Sequence, residues 1–337
     1  MRMAQLSAGI PHTVPLSMVN RQCSSGLQAI ANICNAIASG QISVGIGAGV
    51  ESMSTHTMSK VPPPDVDWEA MRACREAMDC LIPMGMTSEN VAEKYGLTRR
   101  DLDTFAAKSH QRAAEAQRSG KFDDEIVPVM ILRDGASASS LVTRDDGIRP
   151  DTTPEKWAKL CRVFKKGRSI TAGNSSQITD GAAAVLLMSR YEAKRRCSAP
   201  ILTIWRSYAV CGVPPKLMGV GPAYAIPSAL SLAWISTEDV HVYKINEALA
   251  SQVSWCASEL GLDLERINPN GGSIALGHPL GCTGARQIAT LIGELRRIRP
   301  GRRHGVVSMC IGTGMGAAAV LEIEGGRAVT SPPTKRL

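Results

Sequence analysis

Aromatic residues are scarce: Phe, Tyr and Trp together make up 4% of the 337 residues, whereas glycine occurs 31 times. A core built on stacked rings is therefore excluded, and close-packed layers of small and aliphatic side chains are expected. No run approaches about 18 uninterrupted apolar residues, so no membrane-spanning helix is predicted. The first ten residues lack a basic segment followed by a long apolar stretch, so no signal peptide is predicted. None of the 10 cysteines forms a C-x-x-C pair or has a histidine at metal-ligand spacing. That argues against zinc and for free thiols in a reducing compartment. Acidic residues are also short, 30 against 38 basic, for a net charge of +8. The basic runs Arg296-Arg297, Arg302-Arg303 and Lys194-Arg195-Arg196 read as solvated faces. They are not interleaved with aromatics, so nucleic-acid binding is not indicated; a polyanionic small substrate fits the charge equally well.

What is present is the composition of a globular protein, 44% hydrophobic and 20% charged, long enough for roughly two domains. The stretch Asn20-Arg21-Gln22-Cys23-Ser24-Ser25-Gly26 opens a helical pattern, with Leu27, Ile30, Cys34 and Ile37 at three- and four-residue spacing and Gly40 as the stop. Cys23 is thus expected at a helix N-terminus, where free N–H groups and the helix dipole favour a thiolate. Small neighbours would let a substrate approach. The plainer alternative is a buried structural cysteine.

In chain order, 42–49 reads as a buried strand. A polar section follows from 51 to 169, with a turn at Pro62-Pro63-Pro64, a helix over 99–119 capped by Thr98 and Asp101, and an edge strand over 126–132 carrying Pro128. Its few large apolar residues suggest a cover over a site rather than a layer of core. Gly181-Ala182-Ala183-Ala184-Val185-Leu186 recurs as Gly316-Ala317-Ala318-Ala319-Val320-Leu321, which predicts two duplicated α/β halves. The second half reads as strand 201–210, helix 222–233, strand 240–245, helix 248–260, helix 283–297 and strands 305–310 and 317–323. The first half has no counterpart to 201–268, so its opening strands are expected to lie outside this sequence. The resulting division is 1–50 with 170–192 as the first half, 51–169 as the cover, 198–325 as the second half and 326–337 as a tail.

Three further stretches carry chemistry. Gly277-His278-Pro279-Leu280-Gly281 sets a histidine between glycines, directly before a helix. A lone histidine is more often structural, but beside a helix-start cysteine it is what an activated thiol needs. Cys310-Ile311-Gly312-Thr313-Gly314 places a second cysteine at a strand end, beside glycines whose backbone N–H groups can face a substrate oxygen. Asn246-Glu247-Ala248 adds a neutral amide at another strand end.

Through these four stretches, together with Asp79-Cys80-Leu81-Ile82-Pro83-Met84-Gly85 and Gly173-Asn174-Ser175-Ser176, the chain resembles the thiolases, specifically their degradative peroxisomal 3-ketoacyl-CoA branch. The resemblance runs from about Ala4 to Glu324. It implies a thiolase-like α/β fold: two duplicated halves of mixed sheets layered with helices, and a large loop domain inserted in the first. By the same resemblance, Cys23 is the acylated nucleophile, His278 takes its proton, and Cys310 is the acid/base. Asn246, through a water, and His278 line one oxyanion hole; the N–H groups of Cys23 and Gly312 form the other. Coenzyme A is a substrate, not a cofactor, held by the cover and by a loop around Ser207, Met218 and Gly219, and no metal is required. A homodimer formed through the first half and a peroxisomal location are also implied, although Lys335-Arg336-Leu337 only approximates a C-terminal peroxisomal address. Lys244 and Leu249 depart from the family pattern, which usually has an acidic residue and Phe there, and both adjoin the site. Two other functions compete with thiolysis of 3-ketoacyl-CoA: acetoacetyl-CoA-forming condensation, and an inactive protein that binds acyl-CoA or a partner.

Overall fold

A computed structural model of the chain describes residues 1–56, 65–132, 139–164, 168–196, 200–298 and 301–324. The Pro62–Pro64 turn and the 326–337 tail lie outside the described residues. In chain order the elements are α1 (Arg2–Ser7), α2 (Ser25–Ala38), β1 (Val44–Ser52), α3 (Trp68–Ala73), α4 (Arg75–Asp79), α5 (Met84–Lys94), α6 (Arg99–Arg118), β2 (Val129–Leu132), β3 (Ser139–Val142), α7 (Pro154–Ala158) and β4 (Asp180–Met188). Then come α8 (Arg190–Arg196), β5 (Ile204–Gly212), α9 (Gly221–Ala233), β6 (Val240–Ile245), α10 (Ala250–Glu259), α11 (Ser273–Leu276), α12 (Leu280–Arg297), β7 (Arg303–Ile311) and β8 (Met315–Ile323). The Thr98–Asp101 capping box forms as expected. Strand β2 starts only after Pro128, which cannot donate to a ladder.

The second half is a four-stranded mixed sheet in the order β5-β8-β7-β6, with β6 parallel to β7 and the other pairs antiparallel. Helix α9 covers one face, packing Ile226, Ala229 and Leu230 on Ala318 and Val320. On the other face Ala317, Ala319 and Leu321 meet α12 and α2 through Ile288, Leu291, Leu27 and Ile30. The first half contributes the antiparallel ribbon β1–β4, whose Ala183, Val185 and Leu187 pack on that same pair of helices. Helices α2 and α12 are thus a middle layer shared by two sheets. Their contact is close because it runs over glycine: a Cβ on Gly26 would lie 2.6 Å from the Gly281 carbonyl oxygen.

The repeated hexapeptide does not sit equivalently in the two halves. Ala183 and Val185 face the middle layer in β4, whereas in β8 it is Ala317 and Ala319, their neighbours one position out of phase. A strand alternates faces at every residue, so a one-residue offset turns the same word over. Burial follows: β8 is covered on both sides, while Ala182, Ala184 and Leu186 are exposed with Ile46 and Val50 of β1.

The cover, expected to be poor in core, has one built mainly from small residues. Leu102, Ala106 and Ala107 of α6 pack with Trp157, Ile170, Leu249 and Ile274, while Val91 of α5 packs with Leu217, Val220 and Trp255. Both clusters are shared with loops of the second half, which fixes the cover over them. The basic runs are only partly solvated faces: Arg195 and Arg196 pair with Glu192, and Arg303 is buried, donating to the carbonyls of Leu295 and Ile298 at the end of α12. No described helix is long and apolar enough to cross a membrane.

His110 of α6 is buried against the Trp157 ring, and its Nδ1 accepts from the Arg149 backbone N–H at 3.1 Å. Burial, with Arg149 adding to it, pushes its pKa down to about 4. The folded chain therefore refuses a proton that the unfolded chain takes up below about pH 6.5, and stability is lost as pH falls through that range. Thermal unfolding followed from pH 7 to 5 should show this loss, on the order of 1 kcal/mol after allowance for solvent screening. His110→Asn, which keeps an acceptor but does not titrate, should flatten the dependence.

Candidate active site

Cys23 lies in a single 3-10 turn, Gln22–Ser24, and α2 begins two residues later than the periodicity suggested. Gln22, just before it, holds φ at +47°, and Thr313, just after Gly312, holds φ at +67°. Left-handed backbone at non-glycine residues costs energy and is maintained only where the surroundings impose it. Here the Gln22 side chain lies against the residue before Thr313: a Cβ on Gly312 would strike the Gln22 side-chain oxygen. The Gly312 backbone N–H and that of Cys23 itself both act on the Cys23 sulfur and lower its pKa. Burial nevertheless outweighs them and raises it, so as folded Cys23 is a thiol. The thiolate expected from the helix terminus alone does not form, because desolvation penalises the charged form more than two N–H dipoles favour it.

Cys310 closes β7 and is 1% exposed; burial first, then the neighbouring Cys23, push its pKa well above the ordinary value. Its Sγ donates to Gln252 Oε1 at 3.3 Å. Gln252, on α10, also accepts from the Leu249 N–H at 3.2 Å and donates to Met218 Sδ at 3.3 Å. It fits because residue 219 is glycine, whose added Cβ would lie 2.5 Å from Gln252 Cγ. From the cover, Cys80 Sγ reaches the Thr313 carbonyl at 3.8 Å.

Asn246 extends β6, its N–H donating to the Ser308 carbonyl on β7, two residues before Cys310. The side chains of Asn246 and His278 meet directly, Nδ2 to Nε2 at 3.2 Å. One chain of hydrogen bonds sets every proton along them. Arg286 Nη2 donates to Ser273 Oγ at 3.1 Å, and Ser273 donates to Asn246 Oδ1 at 2.6 Å. The Asn246 amide must therefore present its N–H to His278 Nε2. The proton of the neutral ring then lies on Nδ1, which donates to Thr283 Oγ1 at 2.6 Å, and Thr283 passes its own to the Pro279 carbonyl at 2.9 Å. Burial first, then Arg286, push the His278 pKa down to about 3, so the ring is neutral and its Nε2 lone pair accepts from Asn246. Gly277, at φ +86°, lets the chain turn into this loop, and Glu51 Oε2 of β1 accepts from the Gly281 N–H at the start of α12.

The neighbouring motif residues are structural. Glu247 is buried and accepts from Ser109 of the cover, Asn268 and the Ile274 N–H. Ser175 bridges to Leu249, and the Ser176 N–H donates to the Ala248 carbonyl. Ser207 lies within β5 rather than on a loop, and its hydroxyl is spent on the Ala229 carbonyl at 2.7 Å. The structure thus brings together Cys23, Cys310 and Gly312, and pairs Asn246 with His278. Met218 and Gly219 join them by way of Gln252, but Ser207 does not. Gln252, Ser273, Thr283 and Arg286 went unread in the sequence, since hydroxyls and amides on helices carry no spacing signal until the tertiary contacts exist. Among the described residues no cluster of His, Cys, Asp or Glu is arranged to hold a metal.

A buried pair of cysteines with two backbone N–H groups on one sulfur, and a neutral imidazole paired with an amide, are groups of the kind that thiol acyl transfer uses. Residues 1–191 match the thiolase N-terminal domain and residues 199–323 the thiolase C-terminal domain. The chain is 56% identical over 327 residues to peroxisomal 3-ketoacyl-CoA thiolase B of Rattus norvegicus, covering 96% of this chain and 76% of that protein. It superposes on the dimeric peroxisomal thiolase of Saccharomyces cerevisiae with a TM-score of 0.89 at 47% identity, covering 96% of this chain and 80% of that one. A second structure of peroxisomal 3-ketoacyl-CoA thiolase from the same yeast, described as five layers made from two core domains of identical topology, matches with a TM-score of 0.76 at 43% identity over 96% and 78% of the two chains. The chain belongs to the thiolase family, within which the relatives named here are the peroxisomal 3-ketoacyl-CoA enzymes.

Proposed function

We propose that this protein is a peroxisomal acetyl-CoA C-acyltransferase that cleaves 3-ketoacyl-CoA with coenzyme A, the thiolytic step of fatty-acid β-oxidation. The observations that carry the reading are the convergence of Cys23, Cys310 and the Gly312 N–H, and the direct pairing of Asn246 with His278. His278 Nε2, once released from the Asn246 N–H, takes the Cys23 proton, and the sulfur adds to the 3-keto carbon. The C2–C3 bond then breaks, leaving the acyl group on Cys23 and the electron pair on C2 of an acetyl-CoA enolate. The Cys310 S–H delivers its proton to C2. The resulting thiolate takes the proton of an incoming CoA thiol, whose sulfur attacks the Cys23 thioester and releases the shortened acyl-CoA.

Negative charge appears at two oxygens in turn, so two sets of donors are needed: the N–H groups of Cys23 and Gly312 for one, Asn246 and His278 for the other. Losing one such donor typically costs about 10²–10³ in rate. CoA reaches the sulfur past Met218, Gly219 and the cover, where the basic surplus suits its phosphates. No metal takes part in these steps.

The direct test is intact mass after incubation with acetyl-CoA, beside a Cys23→Ala control. A gain of one acetyl group that requires Cys23 supports the acyl-enzyme; loss of a 3-ketoacyl-CoA on adding CoA supports the direction. A folded chain that does neither would leave the acyl-CoA-binding alternative. The protein is further proposed to be a homodimer formed through its first half. Leu16, Met18 and Val19, exposed on the segment leading to Cys23, are apolar surface that a second copy would bury. Sedimentation at micromolar concentration should give a dimer, and monomers alone would count against it.

A further inference from the structure

The Gln252 side chain has one orientation. Its Oε1 accepts from the Leu249 backbone N–H at 3.2 Å, and a backbone N–H can only donate. The other end, Nε2, is turned to Met218 Sδ, a weak acceptor that offers no proton. The oxygen is therefore the atom that faces Cys310, at 3.3 Å, and an amide oxygen can only accept. Both side chains are 1% exposed, so no bulk water stands in for this contact. The arrangement suits one protonation state. A Cys310 thiol donates to Oε1 and is aimed by it; a Cys310 thiolate would have a carbonyl dipole directed at it, negative end first, with no donor from the same residue.

We propose that Gln252 is a positioning residue that keeps Cys310 in its proton-bearing form and aims its S–H, so that Cys310 acts first as an acid and only then as a base. This rests on the acid/base role of Cys310 proposed above. During cleavage the S–H must be intact at the moment the C2–C3 bond breaks, because its proton is the one that C2 receives. After that transfer the thiolate faces Oε1, and the unfavourable contact favours recovery of a proton from the incoming CoA thiol. One amide thereby serves both half-reactions: it supplies the acid at the start and makes the conjugate base strong enough to regenerate it. Gly219 is part of the device, since a side chain there would occupy the path of Gln252.

The test reads the Cys310 proton itself. In a Cys23→Ser background, which removes the coupled titration of the neighbouring thiol, the rate of Cys310 alkylation by iodoacetamide is followed against pH by peptide mass spectrometry. Gln252→Met, of similar volume and without the oxygen, should move the midpoint of alkylation down by about one pH unit. Gln252→Glu, which keeps an acceptor at both contacts and adds negative charge, should move it up. A merely structural role would not shift the midpoint in opposite directions. An unmoved midpoint in a folded Gln252→Met variant overturns the proposal, as does an unmoved or lowered midpoint in Gln252→Glu should the methionine variant not fold. In the Cys23-intact enzyme, Gln252→Met should lose roughly tenfold or more in thiolysis kcat, with KM little changed. Thiolysis that survives Cys310→Ala would refute the parent reading instead, and the two failures are told apart by which cysteine-310 measurement changes.

Discussion

Cys310→Ala leaves an enzyme that still takes an acetyl group from acetyl-CoA onto Cys23 but has lost thiolysis of 3-ketoacyl-CoA by about 10³-fold or more, within the usual range for a positioned acid/base. The asymmetry comes from the leaving groups. When Cys23 attacks acetyl-CoA, the departing group is a thiolate, which is tolerably stable without a proton. When it attacks a 3-ketoacyl-CoA, the departing group is a carbanion equivalent, which is not. In the proposed mechanism Cys310, buried next to Cys23 and kept as a thiol by burial, protonates it. The removed atom is a single sulfur, so the fold should survive, and thermal unfolding of the variant checks this. Thiolysis within tenfold of the parent enzyme would sink the two-cysteine mechanism for this protein, whereas loss of both reactions in a folded variant would show that Cys310 is also needed for acylation.

Lys244→Met should destabilise the fold by about 3–5 kcal/mol, the cost of leaving one member of a buried ion pair without the other. Lys244 is wholly buried beneath the site, its Nζ donating to Glu294 Oε1 at 3.0 Å and to the Gly271 carbonyl at 3.2 Å. The second oxygen of Glu294 has no partner, so the lysine is its main compensation. Nearby Glu125, whose pKa burial raises to about 7, adds to the concentration of carboxylates there. Against a typical total of about 5–15 kcal/mol the loss is large. Replacing both partners, Lys244→Met with Glu294→Leu, should recover most of it, because the buried charge goes together with its counterion. Urea denaturation of the two variants measures both effects, and a single variant within about 1 kcal/mol of the parent would mean that the pair is solvated in solution. Lys244 departs from the family pattern in the sequence, and its partners make it part of the support under the site.

Motifs that pair a reactive residue with the backbone that presents it were legible in the sequence. Cys23, His278, Cys310 and Asn246 each stand beside glycines, a proline or a strand end, and these local signals survive folding unchanged. Strand 240–245 was read to the residue, since a short β-branched run bounded by polar turns has few alternatives. Ser207 was placed near CoA by the resemblance alone, and nothing local in strand 201–210 announces that its hydroxyl turns inward onto a helix carbonyl. The protonation of Cys23 misled for a related reason: the helix terminus is local and visible, while the burial that outweighs it is assembled from the cover and the second half. The recurring hexapeptide revealed a true duplication through a false alignment, because identity in sequence carries no information on which face a strand will turn. The low apolar content of the cover concealed its core, in which Leu102, Trp157 and Ile170 pack with alanines along α6.

The hydrogen-bond chain from Arg286 to the Pro279 carbonyl has a consequence for traffic through the site. Each link runs one way, and its far end stops at a backbone oxygen that has no proton to return. The imidazole therefore has no exit at Nδ1, and its other nitrogen, Nε2, meets the Asn246 N–H. A proton taken there from Cys23 has no rear exit into the interior and must leave by the door through which it came. In the proposed mechanism the ring is a dead-end siding rather than a relay: what it holds during one half of the cycle is returned to the same side, to the sulfur or to whatever then occupies the space before it.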